Sequence, residues 1–315
     1  MRRVPKHGAR DPQATESQSH YHFLSLAVVR FRSKAECLLK EARKMGAMEE
    51  VRMPTDAVVS SSNELGFRLL SLRTDEDEGN VFISSFSVLL ALAMTYNGAE
   101  GRTKAVLADL LGFSGLSLDE VNAGCKALIS LGEGLEPGVK IEMANAIWVG
   151  EGIEPAARFA ETIKDAYGGE FTSVDFGDPN TAELINGWVA EQTDDRIQEL
   201  VTHELIALAI MVLTNAIAFK GVWSRAFDEE QTREMPFTLA DGVSKDHPMM
   251  SREGMFEYVE TDDLQGVELP YGDGRMCMTV LLPKAHISLP EARRMLIPET
   301  WEALLGSSHR MRGHL

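Results

Sequence analysis

The segment Asn215-Ala216-Ile217-Ala218-Phe219-Lys220-Gly221-Val222-Trp223 constrains the fold of this chain more than any other stretch. It continues an apolar run over residues 207–213, so the whole reads as one long buried strand. The run is apolar, partly β-branched and closed by Lys220-Gly221. An amide inside such a strand costs free energy unless it is hydrogen-bonded, so Asn215 predicts a polar partner inside the protein. Trp223, just past the strand end, predicts an aromatic anchor at a sheet margin.

The pattern around this strand alternates less regularly. Asp56 caps a helix whose apolar face includes Leu65, Leu69 and Leu72. Residues 81–83 read as a short buried strand. Ser84 or Ser85 then caps an apolar helix that ends at Asn97-Gly98. Further helices are predicted over 102–111 with Gly112 as the stop, 117–131, 155–166 opened by Pro155, and 180–193 with Leu184, Ile185 and Trp188 inward. Residues 140–149 alternate with period two, and 171–176 form another strand. After the long strand come short strands near 234–239, 255–259, 266–269 and 276–282, then helices near 289–296 and 299–305. Helices first and strands later predict a mixed α+β fold without internal repeats.

Residues 1–53 differ in texture. The first 22 are polar, basic and rich in Ser, Gln and His, which predicts disorder; 33–46 have the composition of a basic helix. Met48 and Met53 offer alternative starts. The leader reads as a disordered or mis-called extension, and the fold is sought in 54–315.

A length of 315 residues suits one large domain or two modest ones, and 44% hydrophobic with 25% charged residues is an ordinary globular composition. The net charge of −17 argues against a nucleic-acid partner. Residues 1–50 carry +4, so the remainder carries −21. Cys37, Cys125 and Cys277 are odd in number and widely spaced; they suggest buried thiols rather than a disulfide framework or a zinc site. No apolar run reaches the ~18–20 residues that span a bilayer, and the apolar stretch from Phe23 to Phe31 is short and broken by Arg30. No membrane partner is expected. A signal-peptide pattern and an Asn-x-Ser/Thr sequon are both missing.

Chemistry-bearing motifs are few. His203-Glu204-Leu205-Ile206 begins like H-E-x-x-H, but Ala207 replaces the second ligand, so zinc has no pair of histidines. The acidic run 75–78 reads as a solvated turn, and His247, before Pro248, as a surface histidine in a turn. No nucleophile elbow, Walker loop or G-x-G-x-x-G occurs. The expectation is a non-enzyme without catalytic residues, cofactor or metal.

Six segments in order resemble the serpins, the serine protease inhibitor superfamily, over about residues 55–305. They are Asn80-Val81-Phe82-Ile83-Ser84-Ser85-Phe86-Ser87; Ala91-Leu92-Ala93-Met94-Thr95-Tyr96-Asn97-Gly98-Ala99 with Thr103; Asn145-Ala146-Ile147-Trp148; Ile185-Asn186-Gly187-Trp188-Val189 with Thr193 and Ile197; the long strand itself, with Phe227-Asp228; and Glu268-Leu269-Pro270-Tyr271 with Leu281-Leu282-Pro283. Ser85 departs from the family's usual Pro, which loosens a rigid turn. The resemblance implies helices packed around a large central sheet with smaller sheets beside it. It places Ser84, Ser87 and Asn215 in the polar cluster under the main sheet, the shutter, and Trp223 at the top of that sheet, the breach. Buried hydroxyls and an amide can exchange hydrogen bonds when strands part.

Serpins inhibit as suicide substrates. A protease cleaves an exposed reactive-centre loop near the C-terminus, stays acylated, and is carried along as the loop inserts into the main sheet. The resemblance therefore implies a monomeric inhibitor of a serine protease, or of a cysteine protease, acting outside the cell, with a cytoplasmic place as the alternative. After Leu304-Leu305-Gly306 the chain is polar and basic, and the reactive bond, its hinge and the terminal strands have no counterpart. The sequence reads as C-terminally truncated. A non-inhibitory serpin-fold interaction protein and a non-functional remnant are the alternatives. With the terminal strands missing, 256–259 and 276–282 are expected to lack neighbours.

Overall fold

The computed structural model describes residues 26–31, 54–72, 80–133, 135, 138–239 and 242–315. The fold is mixed α+β, as the order of elements predicts, with three sheets among the described residues.

Ten strands and nine helices are named here in chain order. Strand β1 is Leu26–Phe31, β2 Val139–Gly150, β3 Glu170–Val174, β4 Met211–Gly221, β5 Arg233–Thr238, β6 Ser244–Met249, β7 Glu253–Glu260, β8 Leu264–Tyr271, β9 Met276–Pro283 and β10 His309–His314. Helix α1 is Pro54–Leu72, α2 Ser85–Gly98, α3 Gly101–Leu110, α4 Leu118–Glu133, α5 Ala157–Tyr167, α6 Asn180–Gln192, α7 His203–Ile206, α8 Leu289–Met295 and α9 Pro298–Gly306.

The first sheet has the order β3-β2-β4, and β2 and β4 pair antiparallel with Asn145 opposite Asn215. Its two faces are covered differently, which follows from the period of two. Ile147, Val149 and Leu213 pack toward α1, α2, α4 and α5 around Leu89, Leu90 and Met94. Ala146 and Trp148 on the opposite face meet Ile185 of α6. Ala144 and Ala216 meet Val189 of the same helix.

The second sheet is antiparallel, in the order β1-β9-β8-β7-β10. Val259, Leu264 and Leu281 form one face and bury themselves under Ala292 and Leu296 of α8 and Trp301 and Leu304 of α9. Phe67 and Leu70 of α1 close that core. Tyr271, Met276 and Met278 pack from this sheet against Val139, Ile141 and Phe219 of the first. Strands β5 and β6 form a separate exposed hairpin.

Several expectations need correction. Residues 81–83 are not a strand, and Phe82 is 97% exposed, because nothing described pairs with that segment. The long strand starts at Met211 rather than 207. Ala207 and Ala209 donate their backbone N–H groups to His203 and Ile206 in a turn, so Leu208 is left 99% exposed. Helix α1 begins at Pro54, whose missing N–H costs nothing in a first turn, and Asp56 lies within it; Leu72, its last residue, is exposed. On α6 the inward row is Ile185 and Val189, one turn apart, and Leu184 points to solvent. His247 belongs to β6, not to a turn.

Strands β6 and β10 are polar and exposed, so they lack the alternation that marks a strand with one buried face. Strands β7 and β9 do have neighbours, β10 and β1. Strand β1 comes from the segment set aside on sequence; the predicted basic helix at 33–46, the acidic run 75–78 and Cys37 lie outside the described residues.

Candidate functional site

Three of the four candidate residues meet at the N-terminal end of α2. Ser84 is its N-cap, in extended conformation, and its Oγ accepts the N–H of Ser87 at 3.3 Å. One turn into the helix, the Ser87 hydroxyl donates to Asn215 Oδ1. Asn215 Nδ2 donates to Asn145 Oδ1 across the β2–β4 pair at 2.6 Å. Asn145 Nδ2 in turn donates to the Tyr167 carbonyl at 2.8 Å. Both amides are therefore used at both ends, as a half-buried and a 4% exposed polar group require.

Sequence reasoning did not single out Asn145 as a site residue. Its signal was the one that marked Asn215: an amide within an apolar strand. The Ser85 hydroxyl lies 3.2 Å from Ser62 Oγ of α1 and ties the two helices together.

Beside this cluster β4 has an open side. Its inner edge pairs with β2, and among the described residues no strand pairs with the outer one. A strand edge presents N–H and C=O groups ready for another strand. Next to it runs a groove of about 340 Å³, lined by Ser87, Val88 and Leu92 of α2, by Val201, and by Leu213 and Asn215 of β4.

Trp223 lies apart from the cluster, beyond the far end of β4. Its indole stacks on Tyr271 with ring centroids 4.3 Å apart and planes at 13°. A backbone bridge joins the same two residues. Gly221 permits this approach, since a Cβ there would sit 2.7 Å from the Tyr271 ring. Burial pushes the Tyr271 phenol above its usual value.

A charged lattice holds the chain after α6 against β2. Lys140 Nζ reaches Asp194 at 3.0 Å and also pairs with Glu142, while Arg196 binds Glu142 at 2.8 Å. Asp194 and Asp195 both adopt left-handed backbone, with φ of 49° and 58°. The Lys140 hydrogen bond holds the Asp194 carboxyl below its ordinary value. Bonds to Glu142 and Asp194 raise Lys140. Cys125 and Cys277 are buried free thiols; desolvation pushes Cys125 up to about 12.

Residues 60–315 match the family described as Serpin (serine protease inhibitor). An uncharacterized serpin-like protein of Thermococcus kodakarensis is 37% identical over 229 residues, covering 72% of this chain and 53% of that protein. The leukocyte elastase inhibitor of Bos taurus is 33% identical over 219 residues, covering 68% and 57%. The solved structure of emu (Dromaius novaehollandiae) ovalbumin superposes with a TM-score of 0.75 at 24% identity, over 82% of this chain and 72% of that one. The Manduca sexta serine protease inhibitor serpin-12 gives 0.73 at 24% identity, over 80% and 72%, so the likeness is one of fold. The chain belongs to the serpin family. It spans about half the length of curated relatives it matches.

Proposed function

We propose that this chain supplies the strand-accepting part of a serine-protease inhibitor that acts as a suicide substrate. The target's serine oxygen attacks a peptide carbonyl of an exposed loop, the amine of the next residue leaves, and the loop, still acylated to the protease, pairs with β4. The observation that carries this is the open outer edge of β4 above a groove floored by Ser87 and Asn215. An added strand would satisfy the β4 backbone, and every second side chain would enter the groove. Support comes also from the relative in Bos taurus, which carries the name of an elastase inhibitor.

The experiment uses the full-length product of the gene that encodes this chain, incubated with trypsin-, chymotrypsin- and elastase-like proteases. A covalent complex that survives SDS, at the summed mass of protease and inhibitor, is the expected result. Cleavage without such a complex across the whole panel overturns the proposal and favours a non-inhibitory serpin.

A further inference from the structure

The hydrogen-bond chain that starts at Ser87 does not stop beneath the sheet. Tyr167, whose carbonyl accepts from Asn145, is the last residue of α5, and Gly168 ends that helix in left-handed conformation with φ of 61°. The Tyr167 hydroxyl donates to Asn122 Oδ1 of α4 at 2.7 Å. Asn122 and Asn97 of α2 bond one another in both directions, at 2.8 and 2.9 Å. Asn97 also anchors to the Ala93 carbonyl of its own helix at 2.9 Å. Ser87 and Asn97 stand near the two ends of α2, so the bonds close a ring: α2 to β4, β4 to β2, β2 to α5, α5 to α4, and α4 back to α2.

We infer that this ring is a coupling device, through which the docking of α4 and α5 sets how readily β4 parts from α2. Buried polar networks act as units, since losing one member leaves others unpaired in a low-dielectric interior. Tyr167 is 1% exposed and Asn145 4%, so neither can exchange a lost partner for water without local opening. The two states are β4 docked on α2, with Asn215 bonded to both Ser87 and Asn145, and β4 parted from α2, with the Ser87 bond broken and the Asn145 bond kept within the β2–β4 pair. Tyr167 belongs to both halves of the ring, its hydroxyl holding Asn122 and its carbonyl holding Asn145. Anything that shifts α4 then biases the groove edge. The consequence for inhibition rests on the strand-accepting role of β4; the coupling does not.

Hydrogen exchange of the full chain, followed peptide by peptide, tests it without a protease. Tyr167→Phe removes the hydroxyl but keeps the ring and the carbonyl that binds Asn145. Exchange in a peptide covering residues 211–221 should rise about five-fold or more relative to one covering 264–271, the lower end of ordinary coupling strengths. Asn97→Leu/Asn122→Leu, which strips both partners of that hydroxyl, should reproduce this. Leu65→Ala, a buried residue of α1 outside the ring, should move both peptides by the same factor. If Tyr167→Phe also moves both peptides equally, or if Leu65→Ala speeds β4 selectively, the coupling is wrong, whether or not the protein inhibits a protease.

Discussion

At the scale of the residue, Asn215 was legible because an amide in an apolar strand demands partners, and the structure supplies Ser87 and Asn145. Asn215→Ala should lower stability by about 1–3 kcal/mol, the cost of leaving such groups unpaired, read as a shift in the urea midpoint. In Asn145→Ala/Asn215→Ala the loss should fall short of the sum of the single losses, because the two amides share one bond. A strictly additive pair would show that they act separately. Asp194 makes a different prediction. Its carboxyl titrates below the ordinary value of about 3.9 in the folded chain because Lys140 bonds its charged form. A depressed acid contributes stability that is fully present above the unfolded value and is lost as pH falls through the folded one. The melting temperature of the wild type should therefore exceed that of Asp194→Asn by a constant margin at pH 5–7, and that margin should shrink as pH falls below the ordinary carboxyl value. Asn tolerates the left-handed backbone at this position, so the comparison isolates the charge. A margin that persists at low pH would rule out the ion pair as its source. Nothing local in the sequence announced this lattice: Lys140 and Asp194 are 54 residues apart and meet only through the fold.

At the scale of the element, buried pieces were read well and exposed ones poorly. The apolar helix after Ser84 and the period-two strand near 140–149 appear close to their predicted bounds, since burial imprints hydrophobic spacing on the sequence. Strand β10, His309-Arg310-Met311-Arg312-Gly313-His314, carries no such imprint, because pairing with β7 is made by backbone groups that any side chain permits. Strand β1 is apolar but lies in the leader set aside on sequence; it pairs with β9 from Leu26 opposite Leu281 to Phe31 opposite Met276. If β1 shields that edge, Val28→Pro/Val29→Pro should expose it. Whichever of the two N–H groups faces β9, one of the prolines removes it. Amide exchange in 276–283 should accelerate while β2 stays protected, and the variant should self-associate more readily, as bare strand edges do. Unchanged exchange in 276–283 would mean that β1 contributes nothing to the sheet in solution.

At the scale of the whole molecule, the α+β order followed from the sequence, but how the two large sheets hold together did not. Aromatic contacts at two places help to join them. Trp223 stacks on Tyr271 and Phe219 of β4 meets the same ring edge-on at 5.0 Å, while Phe67 of α1 meets Trp301 of α9 with ring centroids 6.0 Å apart and ties that shared helix to the core of the second sheet. Trp223 announced an anchor at a sheet margin, but its partner Tyr271 and the pairing of Phe67 with Trp301 were not legible, since each contact pairs residues from distant elements. Helix α1 serves both halves: Val58 and Leu65 sit in the core beneath the first sheet, while Phe67 and Leu70 close the core of the second. A shared helix and two bridges couple the halves, so the chain should unfold in one calorimetric transition. Truncating a buried aromatic costs about 3–5 kcal/mol; Phe67→Ala/Tyr271→Ala strips one partner from each bridge while leaving most of each sheet's own core in place. The calorimetric trace of the double variant should split into two transitions, with each single variant still melting in one. A single cooperative melt in the double variant would mean that α1 alone binds the halves into one folding unit.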